Sequence, residues 1–322
     1  MFAVYAQSID PNDPLTGLVV GDVAEPEVPA DWVRVEVKAA SLNHHDLWTL
    51  RGVGITADRL PMTLGCDAAG IGPDGTEVLV HAVIGDPAAG GGDETLDPKR
   101  SLLSEVYPGT FAQYVWVPAR NVVPKPADLT FAEAACLPTA WLTAYRMLTT
   151  RGHLVAGETV LVQGAGGGVA TAAIALGKAM GLRVWATSRD EAKRAAALEL
   201  GADAVFETGA RLPERVDAVI ETVGEATWSH SLKSLRPGGR IIVSGSTSGA
   251  MPPADLARVF FLQLSVIGST MGTREELIAL MDLLAATGVR PTIAGEFDMA
   301  DAGSAFAMLA EGDVVGKLVL TR

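Results

Sequence analysis

The run VLVQGAGGGVATAAIALGKAMG, residues 160–181, decides how the second half of the chain folds. Three aliphatic residues and a glutamine lead into Gly164, Gly166, Gly167 and Gly168, and an alanine-rich stretch follows, through Val169 to Gly181. A turn stripped of side chains between a strand and a helix lets backbone amides and the helix N-terminus approach a pyrophosphate. A frame begun at Gly164 fails at its third position, Val169, whereas Ala165, Gly167 and Ala170 give small residues at the required spacing. The alternative is a glycine-rich turn needed only for close packing of helix on sheet.

Outward from that turn, ETVLVQ (158–163), LRVWAT (182–187), DAVF (203–206), VDAVIE (216–221), RIIVSG (240–245) and QLSVIG (263–268) alternate with alanine-rich segments. This is the pattern of βαβ units and a mostly parallel, doubly wound sheet. Before about residue 125 the texture differs. Runs such as WVRVEVKAAS (32–41) and GTEVLVHAVI (75–84), punctuated by Gly, Pro and Asp, predict strands and turns of a small β-barrel with little helix. Residues 85–109, polar and rich in Gly and Pro, read as a long surface excursion. After 268 come helix TREELIALMDLLAATG (273–288), strand TIAGEF, helix ADAGSAFAMLAE and a last strand in GKLVLTR (316–322).

Composition limits the function. The 322 residues are 48% hydrophobic and 20% charged, enough for a sizeable core and two domains. A net charge of −13 argues against nucleic acid, whose phosphates need a basic footprint. The two cysteines, Cys66 and Cys136, are too few for a disulfide framework or a four-cysteine zinc lobe. With no secretory leader pattern and no apolar run near the roughly 20 residues of a membrane helix, the chain reads as cytoplasmic, with a small-molecule substrate and no membrane partner.

LNHHDLW (42–48), LGCDAAG (64–70), GTFAQYVWVP (109–118), ADLTFAEAACLPTAWLTAYRML (127–148), the glycine turn, LELGADAVFET (198–208), LRPGGRIIVSG (235–245) and the terminal GKLVL together resemble the medium-chain dehydrogenase/reductase superfamily, over nearly the whole chain. The resemblance implies an α/β fold: a GroES-like β-barrel domain from residues 1–124 and 268–322, with a Rossmann nucleotide-binding domain, 125–267, inserted. It also implies a nicotinamide cofactor, held by the glycine turn with Val169, by Val223 and Gly245 after later strands, and by Thr143 at the nicotinamide end, beside Asn43 between the domains.

The end of the second Rossmann strand, VWATSRDEAKR (184–194), bears on which cofactor. An NAD-selecting protein places a carboxylate about 20 residues past the glycine turn, on the ribose hydroxyl. Here Thr187, Ser188 and Arg189, with Lys193 a turn further on, suit a 2′-phosphate and so NADPH. The alternative is a solvated helix start in which Asp190 and Glu191 pair with these cations.

Zinc-dependent members of the family resemble a ligand scheme whose positions here hold Asn43, Cys66 with Asp67, and Thr139. Only Cys66 is a good ligand, and the 85–109 loop, which matches the structural-zinc lobe, has no cysteine. His44 or His45 could join Cys66, but neighbours in extended chain face opposite ways, and one exposed and one locally bonded imidazole is the plainer expectation. Without metal, the resemblance shifts to the quinone oxidoreductase and enoyl reductase branch: an NADPH-dependent quinone or enone reductase. Asn43, Asp46 and Trp48 are its candidate catalytic residues. Asn43 would position nicotinamide or polarise the acceptor oxygen, or else make a turn bond; Asp46 would buttress that turn or a histidine; Trp48 would line the cleft or only pack. Cys136 reads as core. The alternatives are a zinc alcohol dehydrogenase with rebuilt ligands and an NADPH-binding protein without turnover. A homodimer is expected, pairing through the strand in QLSVIGS.

Overall fold

Strand Trp32–Ser41 organises the first unit: Val35 and Val37 turn inward while Arg34, Glu36 and Lys38 face outward, the alternation a half-buried strand requires. It pairs antiparallel with Tyr114–Pro118, with Ala68–Ile71 and, at its end, with the C-terminal strand Lys317–Thr321. A β-carbon on Gly70 would lie 1.9 Å from the Glu36 carbonyl oxygen, so only glycine lets those two strands approach. The computed structural model describes residues 1–322, and this unit comprises Met1–Ala140, Met271–Asp282 and Arg290–Arg322. Its core holds Val35, Val37, Leu64, Phe111, Phe306 and Leu318, with the Phe111 and Phe306 rings edge to face at 6.1 Å. The boundary lies at Ala140 rather than near 124, so the capped helix Phe131–Ala135 belongs with the barrel.

The second unit, Trp141–Thr270 with Leu283–Val289, is a six-stranded parallel sheet. Its spatial order is Ala204–Phe206, Arg183–Thr187, Thr159–Gln163, Val216–Glu221, Leu235–Val243, Ser265–Gly268. Strand Thr159–Gln163 is buried throughout and lies where the strand order reverses, the place at which open α/β sheets bind ligands. The alanine-rich helix Gly168–Ala179 follows it, buried from Ala170 to Gly177. No helix in the chain is long and apolar enough to cross a membrane.

Two local expectations change. LNHHDLW is not extended: His44–Leu50 is a helix, with Asn43 at its N-cap and Asp46 at the third position. Asn followed three residues later by an acid is the pattern of a helix start, a signal the barrel texture masked. The 85–109 segment, in turn, is more than a surface excursion, because Glu94 within it is fully buried. One Glu94 oxygen accepts from His81 Nε2 at 3.1 Å and from the Arg274 amide at 2.8 Å, with Arg120 at 3.5 Å. Burial by itself would raise this carboxyl, but the His81 and backbone hydrogen bonds outweigh it and hold it at about 2.

Because the folded value lies below the 4.5 of the unfolded group, the stability Glu94 contributes is complete above pH ~4.5 and is lost as pH falls towards 2. Glu94→Gln should cost about 1–3 kcal/mol near neutrality, the scale of hydrogen bonds to a charged group, and the gap to wild type should narrow below pH ~4.5. Denaturant unfolding across that pH range checks this; a gap independent of pH would contradict it.

Candidate active site

In the barrel unit, the backbone after strand Trp32–Ser41 turns into helix His44–Leu50, and Asp46 fixes that turn. Its two carboxylate oxygens accept from the Asn43 amide at 2.8 Å and the Gly65 amide at 3.0 Å. Burial pushes the Asp46 carboxyl up to about 6, against the opposing pull of His45 and the Asn43 amide. Asp46 is thus a buttress, occupied on both oxygens by backbone, and the catalytic grouping that includes it is corrected on that ground. Trp48 is partly exposed on the same helix, while Leu47 and Leu50 fill the core.

Asn43 belongs to a buried polar cluster. Its Nδ2 donates to Asp67 Oδ2 at 2.8 Å and to the Ser41 carbonyl at 3.4 Å, and its Oδ1 accepts from Lys317 Nζ at 2.6 Å. Ser41 Oγ donates to the same Asp67 oxygen at 2.8 Å, and Lys317 also donates to the Leu42 carbonyl at 2.5 Å and lies 3.6 Å from Asp67. The Asn43 amide therefore has no free hydrogen for an acceptor oxygen; it holds Lys317 and Asp67 instead, which corrects its expected polarising role. Lys317 was missed by the sequence reading. Its signal is a lone charge opening an otherwise apolar strand, GKLVL.

Helical geometry separates the two histidines: His44 is exposed and His45 turns inward. His45 Nε2 meets Glu105 Oε1 at 3.1 Å, and Nδ1 lies 3.4 Å from both Cys66 Sγ and Ser104 Oγ. Burial lowers the His45 imidazolium, but the Cys66 sulfur and the Glu105 carboxylate more than offset it, so it titrates well above 6.5. Burial raises the Cys66 thiol, which donates to the Leu103 carbonyl at 3.2 Å.

These residues do not compose the zinc set that the fold family implies. Lys317 engages Asn43 Oδ1 and Asp67 Oδ2 and Cys66 faces His45, while Asp67 Oδ1 and the Thr139 hydroxyl are buried without a partner; of the set, the Asn43 amide and the Thr139 hydroxyl are poor zinc ligands. His45, Asp46 and Cys66 bring ligand atoms within 4.8 Å of one another. Asp46 also accepts two buried amides, so an ion there would have to share its carboxylate with the turn that it fixes.

In the second unit the carboxyl ends of the strands gather the other candidates. Gly164 has φ +80°, and a β-carbon there would meet Val223 Cγ2 at 3.0 Å. Gly166 is buried, Gly167 caps helix Gly168–Ala179 without a side-chain bond, and a β-carbon on Gly167 would meet nothing within 4 Å. First-turn amides have no partner within a helix, and Val169 lies in that turn, so this bare N-terminus fits a pyrophosphate. Gly245 abuts Thr222, and Val223 donates its amide to Glu221 at 2.9 Å. Thr143 is buried on a separate helix, Leu142–Arg146.

Thr187, expected with the phosphate-reading groups, is fully buried with its hydroxyl on Gln163 Oε1 at 2.6 Å, which removes it from them; beyond it Ser188 is buried, and Arg189 is exposed next to it. Asp190, which complicates the cofactor reading, caps its own helix: its Oδ1 accepts from the Lys193 amide at 3.0 Å. Arg194, a residue the sequence reading passed over, donates to the Ser188 carbonyl at 2.7 Å. Lys193 sits partly buried one turn into that helix.

Residues 29–127 match the family model described as an alcohol dehydrogenase GroES-like domain, and residues 168–286 match the one described as a zinc-binding dehydrogenase. An acryloyl-coenzyme A reductase of Metallosphaera sedula is 30% identical, the match covering 95% of this chain and 96% of that protein. The crystal structure of an NAD-dependent alcohol dehydrogenase superposes with a TM-score of 0.89 at 32% identity, covering 100% of both chains. The 2-octenoyl-CoA carboxylase reductase CinF, in complex with NADP and 2-octenoyl-CoA, gives a TM-score of 0.90 at 26% identity, covering 99% of this chain and 87% of that one. With a GroES-like barrel, a Rossmann-type parallel sheet and these full-length relatives, the chain belongs to the medium-chain dehydrogenase/reductase superfamily.

Proposed function

We propose that the protein is an NADPH-dependent reductase that delivers a hydride to a conjugated acceptor, an α,β-unsaturated carbonyl or a quinone, without zinc. The observation that carries this reading is the cluster of Ser41, Asn43, Asp67 and Lys317, in which the Lys317 ammonium stands 3.6 Å from Asp67 Oδ2 and leaves only Oδ1 without a partner. Hydride addition to a conjugated acceptor spreads the new charge, whereas a simple carbonyl concentrates it on one oxygen and calls for a Lewis acid. The acryloyl-coenzyme A reductase relative and the CinF complex with an unsaturated thioester support an acceptor of this class.

When bound, the nicotinamide supplies the hydride. The chain's part is to bind and orient: the bare N-terminus of helix Gly168–Ala179 takes the pyrophosphate, and Ser188, Arg189 and Lys193 take the 2′-phosphate. Asp190 does not compete for the ribose, because its carboxylate serves its own helix. Val223, Gly245 and Thr143 complete the cofactor's contacts. Lys317 and Asn43 hold a fixed dipole in the barrel, oriented in advance of charge development.

The Cys66–His45 pair favours one second reading, a metal-dependent alcohol dehydrogenase with rebuilt ligands. Steady-state NADPH oxidation with a 2-enoyl-CoA, a simple enone and a quinone separates the two. Turnover with one of these acceptors, undiminished by strong chelator and with far less than one zinc per chain, is the expected result. Alcohol oxidation lost to chelator and restored by zinc establishes the second reading. Binding of NADPH with no turnover of any acceptor leaves a binding protein instead.

Arg189→Ala should weaken NADPH binding by about 1–3 kcal/mol, the scale of charged hydrogen bonds, and leave NADH nearly unchanged. Fluorescence titration of both cofactors measures it, and equal losses for the two would remove Arg189 from the phosphate site.

A homodimer completes the proposal. Strand Ser265–Gly268 is the unpaired edge of the six-stranded sheet, Val266 is 50% exposed on it, and Phe260 and Phe261 are exposed just before it. A second copy adding its own edge strand satisfies those backbone groups and covers the rings. Light scattering should give a dimer for wild type and a monomer for Val266→Pro, whose ring cannot enter the ladder; a monomeric wild type would refute this assembly.

A further inference from the structure

Three adjacent strands of the second unit end in polar residues that water does not reach: Gln163, Thr187 and Glu221, all fully buried. Each is followed within two residues by a segment assigned above to the cofactor: the glycine turn, Ser188–Arg189, and Val223. The side chains form one continuous hydrogen-bonded relay. Thr187 Oγ1 donates to Gln163 Oε1 at 2.6 Å, Gln163 Nε2 donates to Ser231 Oγ at 3.0 Å, and Ser231 Oγ donates to Glu221 Oε2 at 2.6 Å. Glu221 Oε1 then accepts from the Val223 and Gly224 amides at 2.9 and 3.1 Å.

The direction of this relay is fixed by chemistry. A carboxylate only accepts, so the Ser231 hydroxyl must give its proton to Glu221 and must itself receive one from Gln163. The Gln163 amide is thereby oriented with its oxygen towards Thr187. Its second Nε2 hydrogen goes to His230 Nδ1 at 2.9 Å, and His230 Nε2 bonds the Ala210 carbonyl at 2.9 Å. All of the amide's hydrogens are spent. The same Thr187 accepts, at its carbonyl, from the Gly164 and Ala165 amides at 3.1 and 3.0 Å. Its hydroxyl and its carbonyl therefore lock the glycine turn and the start of the Ser188–Arg189 segment to one another.

We infer that Thr187, Gln163 and Ser231 are positioning residues for cofactor selectivity: the relay from Thr187 to Glu221 sets where Ser188 and Arg189 stand, and so how well a 2′-phosphate is received, although none of the three is assigned a contact with it. The inference rests on the NADPH reading above. A cofactor without the 2′-phosphate makes no use of that placement, so loosening the relay should act on NADPH and spare NADH.

The test compares Thr187→Val, which removes the hydroxyl at nearly constant shape, with Thr187→Ser, which keeps it, and with Ser231→Ala at the far end of the relay. NADPH and NADH affinities are measured directly, with thermal unfolding in parallel. Thr187→Val and Ser231→Ala should each reduce the NADPH:NADH preference by about tenfold, the size of one lost buried hydrogen bond, mainly through NADPH. Thr187→Ser should restore it. A preference unchanged in both variants, or a loss shared equally by the two cofactors in step with lowered unfolding temperature, overturns the relay and leaves the cofactor reading standing. A wild type with no preference for NADPH overturns both. Should Thr187→Val fail to fold, Ser231→Ala against wild type carries the same comparison.

Discussion

A nearly buried ammonium has to be met by acceptors, and Lys317, 3% exposed, is met by three. The consequence reaches far along the chain. Lys317 opens the C-terminal strand, while its partners, the Leu42 carbonyl, Asn43 and Asp67, come from two segments near the N-terminus. The antiparallel register that sets Val319 opposite Ser41, together with the Leu42 amide on the Leu318 carbonyl at 2.9 Å, brings the charge to that spot. Removing one acceptor would leave a hydrogen of a buried ammonium unmet where water does not replace it, so the partners depend on one another.

The second unit solves an opposite problem by the same rule. There the buried ion is Glu221, which can only accept, and every donor near it turns accordingly: two backbone amides, Thr227, Ser231 and, one step removed, Gln163. A donor-only group orients the network in the barrel, and an acceptor-only group orients the one at the strand ends. In both, an amide side chain, Asn43 or Gln163, is the piece whose orientation follows. Amides serve this purpose because they carry a donor and an acceptor with no charge of their own to neutralise.

His45 and Cys66 form a third arrangement with different chemistry. Glu105 holds one ring nitrogen while the other faces the thiol and Ser104. A carboxylate on the far nitrogen is also how proteins orient metal-bound histidines. The nearest third ligand, Asp46, would have to serve a metal and the two amides that form the turn at once.

Much of the architecture was readable from residue order. The alternation of LRVWAT, VDAVIE and RIIVSG with alanine-rich segments, and the glycine turn after VLVQ, are local patterns, and periodicity reports local structure directly. So does a cation-rich segment after the second strand. The helix at His44–Leu50 was also written locally, as Asn43 with Asp46 three residues on, but β-rich flanks hid it. What the order of residues could not tell is which polar side chains meet. Lys317 and Asn43 lie 274 positions apart, and Gln163 and Ser231 lie 68 apart. Their pairing depends on strand register and on which groups lose water together. The sequence by itself determined the fold class, the glycine cradle and the cations beside it, because each depends on neighbours within a few residues. Only the tertiary structure decided that Asn43 and Asp46 are already bonded, that His45 faces Cys66 and that Lys317 stands against Asp67, because burial, which makes each of those bonds obligatory, is a property of the packed chain.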